Sequence, residues 1–137
     1  MQEQWIRWEP AKGLSSKYCI ESILDNLEAF KIVLHDEHDS RKKIYIIFEG
    51  FVGSYKWTDE TFRLGTVSFL NKQYGTKFYS EWTFFKVINS KYLRLISEES
   101  CSISDSRNLI HLVIIESNSI LDIIAASEPK IEFVEGK

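Results

Sequence analysis

The feature that most constrains this chain is the alternation of branched or aromatic residues with polar ones over short runs. In Lys43-Ile44-Tyr45-Ile46-Ile47-Phe48-Glu49, the side chains of Ile44, Ile46 and Phe48 fall on one side of an extended backbone, because successive residues of a strand point to opposite faces. The pattern returns at residues 82–88 and 110–116. It predicts half-buried antiparallel sheet. With 137 residues, 44% of them hydrophobic and 27% charged, the chain has the make-up of one globular domain spanning residues 1–137 rather than of a disordered segment.

Read from its start, the chain carries a first strand at residues 4–9, with Trp5 and Trp8 on opposite faces, closed by Pro10 and Gly13. Residues 18–25 and 29–36 are β-rich and joined by the short connection Asn26-Leu27-Glu28. With residues 43–49 they predict a meander. Gly50 and Gly53 end that strand, and Thr58-Asp59-Glu60 reads as a helix start, with Thr58 as the cap. The helix is expected to run to about Tyr74, with Phe62, Phe69, Leu70 and Tyr74 near one stripe and Gly75 as its left-handed terminator. Gly65 lies inside it, where it would allow close approach to the sheet.

Residues 78–88 predict a central strand, with Trp82 and Phe84 on one face and Phe85 and Val87 on the other. Asn89 or Ser90 caps a short helix through about Ser97, followed by a Ser-rich connector at 100–108 that reads as a mobile loop. Residues 109–116 and 120–126 form a hairpin apolar on both faces, which belongs in the middle of a sheet. Residues 131–134 make an edge strand, and Glu135-Gly136-Lys137 has no reason to be ordered. The expected class is α+β: a twisted, mainly antiparallel sheet of seven or eight strands, with one longer and one short helix packed on it. Its core is expected to hold Ile44, Ile46, Phe48, Phe62, Phe69, Phe85, Val87, Leu112, Ile114, Leu121 and Ile123.

A net charge of -3 disfavours nucleic acid, and Arg41-Lys42-Lys43, the one basic run, has no stacking platform beside it. Cys19 and Cys101 lack the spacing of a zinc site or a disulfide framework, which fits reduced thiols and a cytoplasmic protein. No apolar run is long enough to span a bilayer, and no leader pattern opens the sequence.

The residue types that carry chemistry are few. His35-Asp36-Glu37-His38-Asp39 has metal-ligand types, but strand alternation sends the two imidazoles apart, so an acidic turn is the expected reading. His111 and Asp122 lie across the predicted hairpin and either form a satisfied structural pair, stand exposed, or act as a dyad without a nucleophile at a diagnostic spacing. Glu98 and Glu99 end the short helix and diverge on its surface. Tyr55 and Trp57 follow glycines that lack phosphate-loop spacing, and they suit either a pocket or an interface anchor. No catalytic residue, metal ligand or cofactor is assigned. The residues assigned to binding are Asp36, Glu37, Asp39, Tyr55, Trp57, Glu98 and Glu99.

Two stretches, Ser54-Tyr55-Lys56-Trp57-Thr58-Asp59-Glu60 with Arg63, and Trp82-Thr83-Phe84-Phe85-Lys86-Val87-Ile88-Asn89-Ser90 with Tyr92-Leu93, resemble small, mostly uncharacterised bacterial proteins, some of them immunity partners of polymorphic toxins. The resemblance implies a non-enzymatic domain that binds a protein, a toxin in the immunity case, and brings no functional residues with it. Two other expectations stand beside it: a ligand-binding or enzymatic domain with a pocket lined by Tyr55, Trp57, Tyr79 and Trp82, and a homo-oligomeric module that buries a strand edge.

Overall fold

The computed structural model of the chain describes residues 2–135, so Gly136 and Lys137 lie outside the described residues. In chain order the elements are β1 (Gln4–Arg7), β2 (Tyr18–Asp25), β3 (Phe30–Asp36), β4 (Lys42–Phe48) and β5 (Val52–Asp59). A 3-10 turn, Glu60–Arg63, leads into α1 (Leu64–Tyr74), followed by α2 (Lys77–Ser80), β6 (Phe84–Ile88) and α3 (Lys91–Glu99). A second 3-10 turn (Ile103–Arg107) precedes β7 (Ile110–Ile115), β8 (Ser119–Ala125) and β9 (Lys130–Glu135).

The class is α+β, and every strand pair is antiparallel. The strands divide between two sheets, ordered β1-β6-β7-β8-β5 and β2-β3-β4-β9. Burial explains the division. β3 and β4 bury alternate residues only, so their sheet has one dry face, whereas β7 and β8 are buried almost throughout and need cover on both sides. The five-stranded sheet is therefore the middle layer. Ile32, Leu34, Ile44 and Ile46 of the four-stranded sheet meet Phe84, Leu112, Ile114, Leu121 and Ile123 on one face of it. On its other face Trp5, Phe85, Val87, Val113, Ile115 and Ile120 pack with Leu70, with Phe69, Tyr74 and Phe78 against them.

Trp5 and Trp8 do part to opposite faces, and the hairpin of β7 and β8 occupies the third and fourth places in its sheet. Several expectations are corrected. Residues 52–59 form a strand, β5, rather than a loop running into a helix, and the helical cap is Asp59, whose carboxylate accepts from Thr61 N at 2.9 Å. Phe62 leaves the core: it sits in the tight 3-10 turn, out of phase with α1, and is 80% exposed. Residues 77–80 are helical, so the strand starts at Phe84 and not at Phe78. The Ser-rich connector holds a 3-10 turn, Glu135 ends β9, and α3 runs two residues past Ser97. A Cβ on Gly65 would meet nothing within 4 Å, so this glycine does not serve close packing against the sheet.

Lys17 fastens the layers together. Its ammonium donates to the carbonyls of Tyr79 (2.7 Å), Trp82 (2.8 Å) and Ile115 (2.8 Å), joining the segment before β6 to the end of β7. Burial lowers its pKa to about 8, against the opposing charges of Glu37 and Glu116. No described helix is long and apolar enough to cross a membrane.

Candidate functional site: a polar cleft over the central sheet

Register decides what gathers on the helix-covered face of the five-stranded sheet. Trp5, Val87, His111, Ile124 and Ser54 form one row across the strands, and Arg7, Phe85, Val113, Asp122 and Lys56 form the next. The first row carries His111 in its middle and Ser54 on β5, and the second turns polar toward β5 with Asp122 and Lys56. His111 and Asp122 are diagonal neighbours, within reach because such positions are about 7–8 Å apart at the backbone. Above them, the turn into α1 supplies Arg63, and the first turn of α3 supplies Ser90 and Tyr92.

The resulting network is continuous. Ser90 Oγ lies 2.7 Å from His111 Nδ1, and His111 Nε2 lies 2.7 Å from Asp122 Oδ1. Asp122 Oδ2 accepts from Arg63 Nη1 at 2.5 Å, and Arg63 Nε donates to Thr66 Oγ1 at 3.1 Å. An ionised carboxylate only accepts, so Nε2 carries the proton toward Asp122; in the neutral imidazole Nδ1 then accepts the Ser90 hydroxyl proton. Asp122 is fully buried. Burial works to raise its pKa, but hydrogen bonds from His111 and Arg63, with the Arg63 charge, outweigh burial and hold it below the ordinary carboxylate range. Beside the network, Ser54 Oγ and Tyr92 Oη share a 2.5 Å hydrogen bond, and Lys56 Nζ stands 4.5 Å above the Tyr92 ring centre. Burial, ahead of the Ser54 hydrogen bond that opposes it, raises the pKa of the Tyr92 phenol.

Serine, histidine and aspartate in a hydrogen-bonded line are the components of a nucleophilic relay. Here the serine is committed elsewhere. Ser90 Oγ also accepts from Leu93 N at 3.0 Å as the cap of α3, and the residue is 3% exposed. His111 and Asp122, both buried, form the floor of a cleft of about 510 Å³ between the starts of α1 and α3, whose walls include Arg63, Lys56, Tyr92 and Trp5.

The residues assigned to binding from the sequence lie away from this cleft and do not form one patch. Asp36 and Asp39 organise the turn after β3. Asp36 Oδ1 accepts from His38 N and Asp39 N, and Asp39 Oδ1 accepts from Arg41 N and Nε. Burial would raise the Asp36 pKa, yet hydrogen bonds from Ser15 and those two backbone donors lower it. Glu37 shares a hollow with Glu60 near the far end of β5. His35 stands beside Glu21 of β2 (3.3 Å, without hydrogen-bond alignment), while His38 is exposed beside Glu37. No cluster of three metal-ligating residues occurs among the described residues. Glu98 and Glu99 are exposed at the end of α3, where the neighbouring Ser100 lines a shallow apolar hollow with Phe51 and Gly53 at the start of β5. Tyr55 and Trp57 project from β5 on the side of the four-stranded sheet: Tyr55 packs on Phe30 with the rings tilted (centres 4.6 Å apart), and Trp57 Nε1 donates to Ser119 Oγ. Tyr79 and Trp82, expected near them, lie around the other end of the central sheet and pack against its core.

Sequence reasoning saw the His111 and Asp122 pair but not its completion by Arg63, Ser90, Tyr92 and Lys56. One signal was present: Ser54, Lys56, Arg63, Ser90 and Tyr92 all belong to the two stretches that carry the resemblance, and folding brings them to one place. Compared with family models, with curated proteins and with solved structures, the chain matches none of them.

Proposed function

We propose that this chain is a non-enzymatic protein-binding domain of the immunity type, which neutralises a toxin by covering its working surface. The observation that carries the reading is the open flank at β5. This strand ends the five-stranded sheet, so one row of its backbone N–H and C=O groups faces away from any partner strand. Natural sheets protect long edges, and an unprotected one favours pairing with another chain. Along and beside this edge stand Phe51, Trp57, Phe62 and Leu64, all more than half exposed, with Trp57 at 58%. Large aromatics at such positions are the residue types that dominate interface energetics.

Charge supports the same reading. Glu37 and Glu60 lie toward one end of β5, and Glu98 and Glu99 toward the other, in a chain of net charge -3. A basic partner would be steered to this flank. The test is co-expression with the product of the adjacent gene, followed by purification and growth assay. A stable complex and relief of that product's toxicity are expected; finding neither rejects the proposal.

A further inference from the structure

We propose that the cleft between the starts of α1 and α3 is a binding site for a small molecule bearing an oxyanion. The argument is an imbalance between donors and acceptors. Both oxygens of Asp122 are engaged, one by His111 and one by Arg63. Both oxygens of Glu3, the other acid on the cleft wall, are engaged as well: Oε1 accepts from Trp5 Nε1 at 3.1 Å and Oε2 from Lys91 N at 2.8 Å. The carboxylates of the wall are thus engaged while cationic donors remain. Arg63 Nη2 and the Nζ atoms of Lys56 and Lys91 have no hydrogen-bond partner among the described residues.

The free donors are cationic, and the one on Arg63 is fixed in direction. Nε and Nη1 are tethered to Thr66 and Asp122, and the Arg63 side chain is 14% exposed, so the guanidinium cannot swing out to water. A planar fork held this way presents its remaining N–H groups to an incoming oxygen at little further entropic loss, as carboxylate and phosphate recognition requires. Asp122 and His111 therefore act as positioning residues for Arg63. The backbone N–H at the start of α3 is not the site, because Glu3 already fills it.

The size of the cavity selects a small molecule. About 510 Å³ lies within the range of cofactor and ligand pockets, and its walls include the rings of Trp5, Phe69 and Tyr92. An oxyanion between Lys56 and Arg63 would leave the body of the ligand against those rings. Gly65 keeps the mouth open, since no atom stands within 4 Å of where its Cβ would be. This site goes beyond the protein-binding reading and does not rest on it, because the cleft lies on the helix-covered face of the sheet whereas Trp57 projects from the opposite face of β5.

The experiment is a two-dimensional amide NMR titration at constant ionic strength with inorganic phosphate and, separately, with benzoate, a carboxylate on an aromatic body. Saturable shifts at Trp5, Arg63, Thr66, Lys91 and Tyr92 are expected with at least one probe, and which one answers tells whether the oxyanion is a phosphate or a carboxylate. Lys56→Gln should weaken the response about tenfold by removing a charge-assisted donor. Gly65→Leu, which touches no polar group, should abolish it while the spectrum keeps its folded dispersion. No saturable shift with either probe overturns the proposal, as does a response that both variants leave unchanged.

Discussion

The two flanks of the five-stranded sheet end in opposite ways. At β1 the edge is plugged: Trp5 N donates to Tyr74 Oη at 2.9 Å, and Arg7 reaches the carbonyls of Lys77 and Phe78 at 2.7 and 3.0 Å. Beneath that plug the sheet is dry, with Trp5, Phe85 and Val87 packed under Leu70, Tyr74 and Phe78. At β5 no strand among the described residues pairs with the outer edge, the sheet surface carries Lys56 and Asp122, and Trp57 faces solvent. One helix spans the difference, since the end of α1 seals the first flank and the turn before its start delivers Arg63 to the second. What this teaches is that a single layer can close one edge with packed aromatics and hydrogen bonds and hold the other together around a buried charge network.

The largest expected effect tests whether the polar flank is also structural. Removing one partner of a buried charge pair strands the others, so Asp122→Ala should cost about 3–5 kcal/mol. Phe85→Ala on the dry flank should cost a similar 3–5 kcal/mol through its cavity. Acid separates the two. Asp122 titrates below its unfolded value, so its contribution is fully present above the unfolded carboxylate pKa and is lost as pH falls through the lowered folded one. Urea denaturation from pH 7 to pH 2 should show that component in the native protein and in Phe85→Ala, and its absence in Asp122→Ala.

Second in size is the effect of Trp57→Asp on partner binding. A central interface aromatic is worth about 2 kcal/mol or more, so affinity for the partner should fall on the order of 30-fold by calorimetry. The fold should change little, since Trp57 is the more exposed of the two aromatics on β5. Equal affinity for the substituted protein would move the interface away from this flank.

The meander of β2 to β4 and the split of Trp5 from Trp8 were legible because they follow from period-two alternation, and the central hairpin because its strands are apolar on both faces about a short polar turn. β5 was not. Gly53 sits where its register with β8 shifts, and the strand then shows one row to solvent and the other to a charged surface, so hydrophobic alternation is weak over 52–59. Phe62 misled because a helical stripe was extended through a 3-10 turn, where the angular step per residue is larger. In the site, the approach of His111 to Asp122 could be guessed from the hairpin that the polar turn at 117–119 implies. The arrival of Arg63 could not: it is 59 residues from Asp122 and depends on where α1 lands. The acidic residues proposed for binding were read as a cluster because they are adjacent in sequence, and the structure turns Asp36 and Asp39 onto their own backbone.

Tyr74→Phe probes the plug on the sealed flank. It keeps the stacked ring, whose centre is 4.3 Å from that of Phe78, and deletes only the acceptor for Trp5 N. The expected loss is about 1 kcal/mol, the net worth of a hydrogen bond whose donor regains some water at an edge. Hydrogen exchange at Trp5 should quicken together with the drop in denaturation midpoint. If exchange there does not change, the edge is protected by packing rather than by the phenol.

The smallest expected effect is a gain, and it falls on the open flank. Gly65 is in the first turn of α1 and has no left-handed backbone conformation, so its conformational freedom serves nothing in the folded state. A methyl group there meets no atom within 4 Å. Gly65→Ala should then raise stability by about 0.5–1 kcal/mol, because alanine loses less backbone entropy on entering a helix and nothing has to move to admit it. Thermal melting reads the change directly. A loss instead of a gain would mean that α1 settles closer to the sheet than its open mouth indicates, and the contrast between a sealed flank and an accessible one would then fail at the helix that joins them.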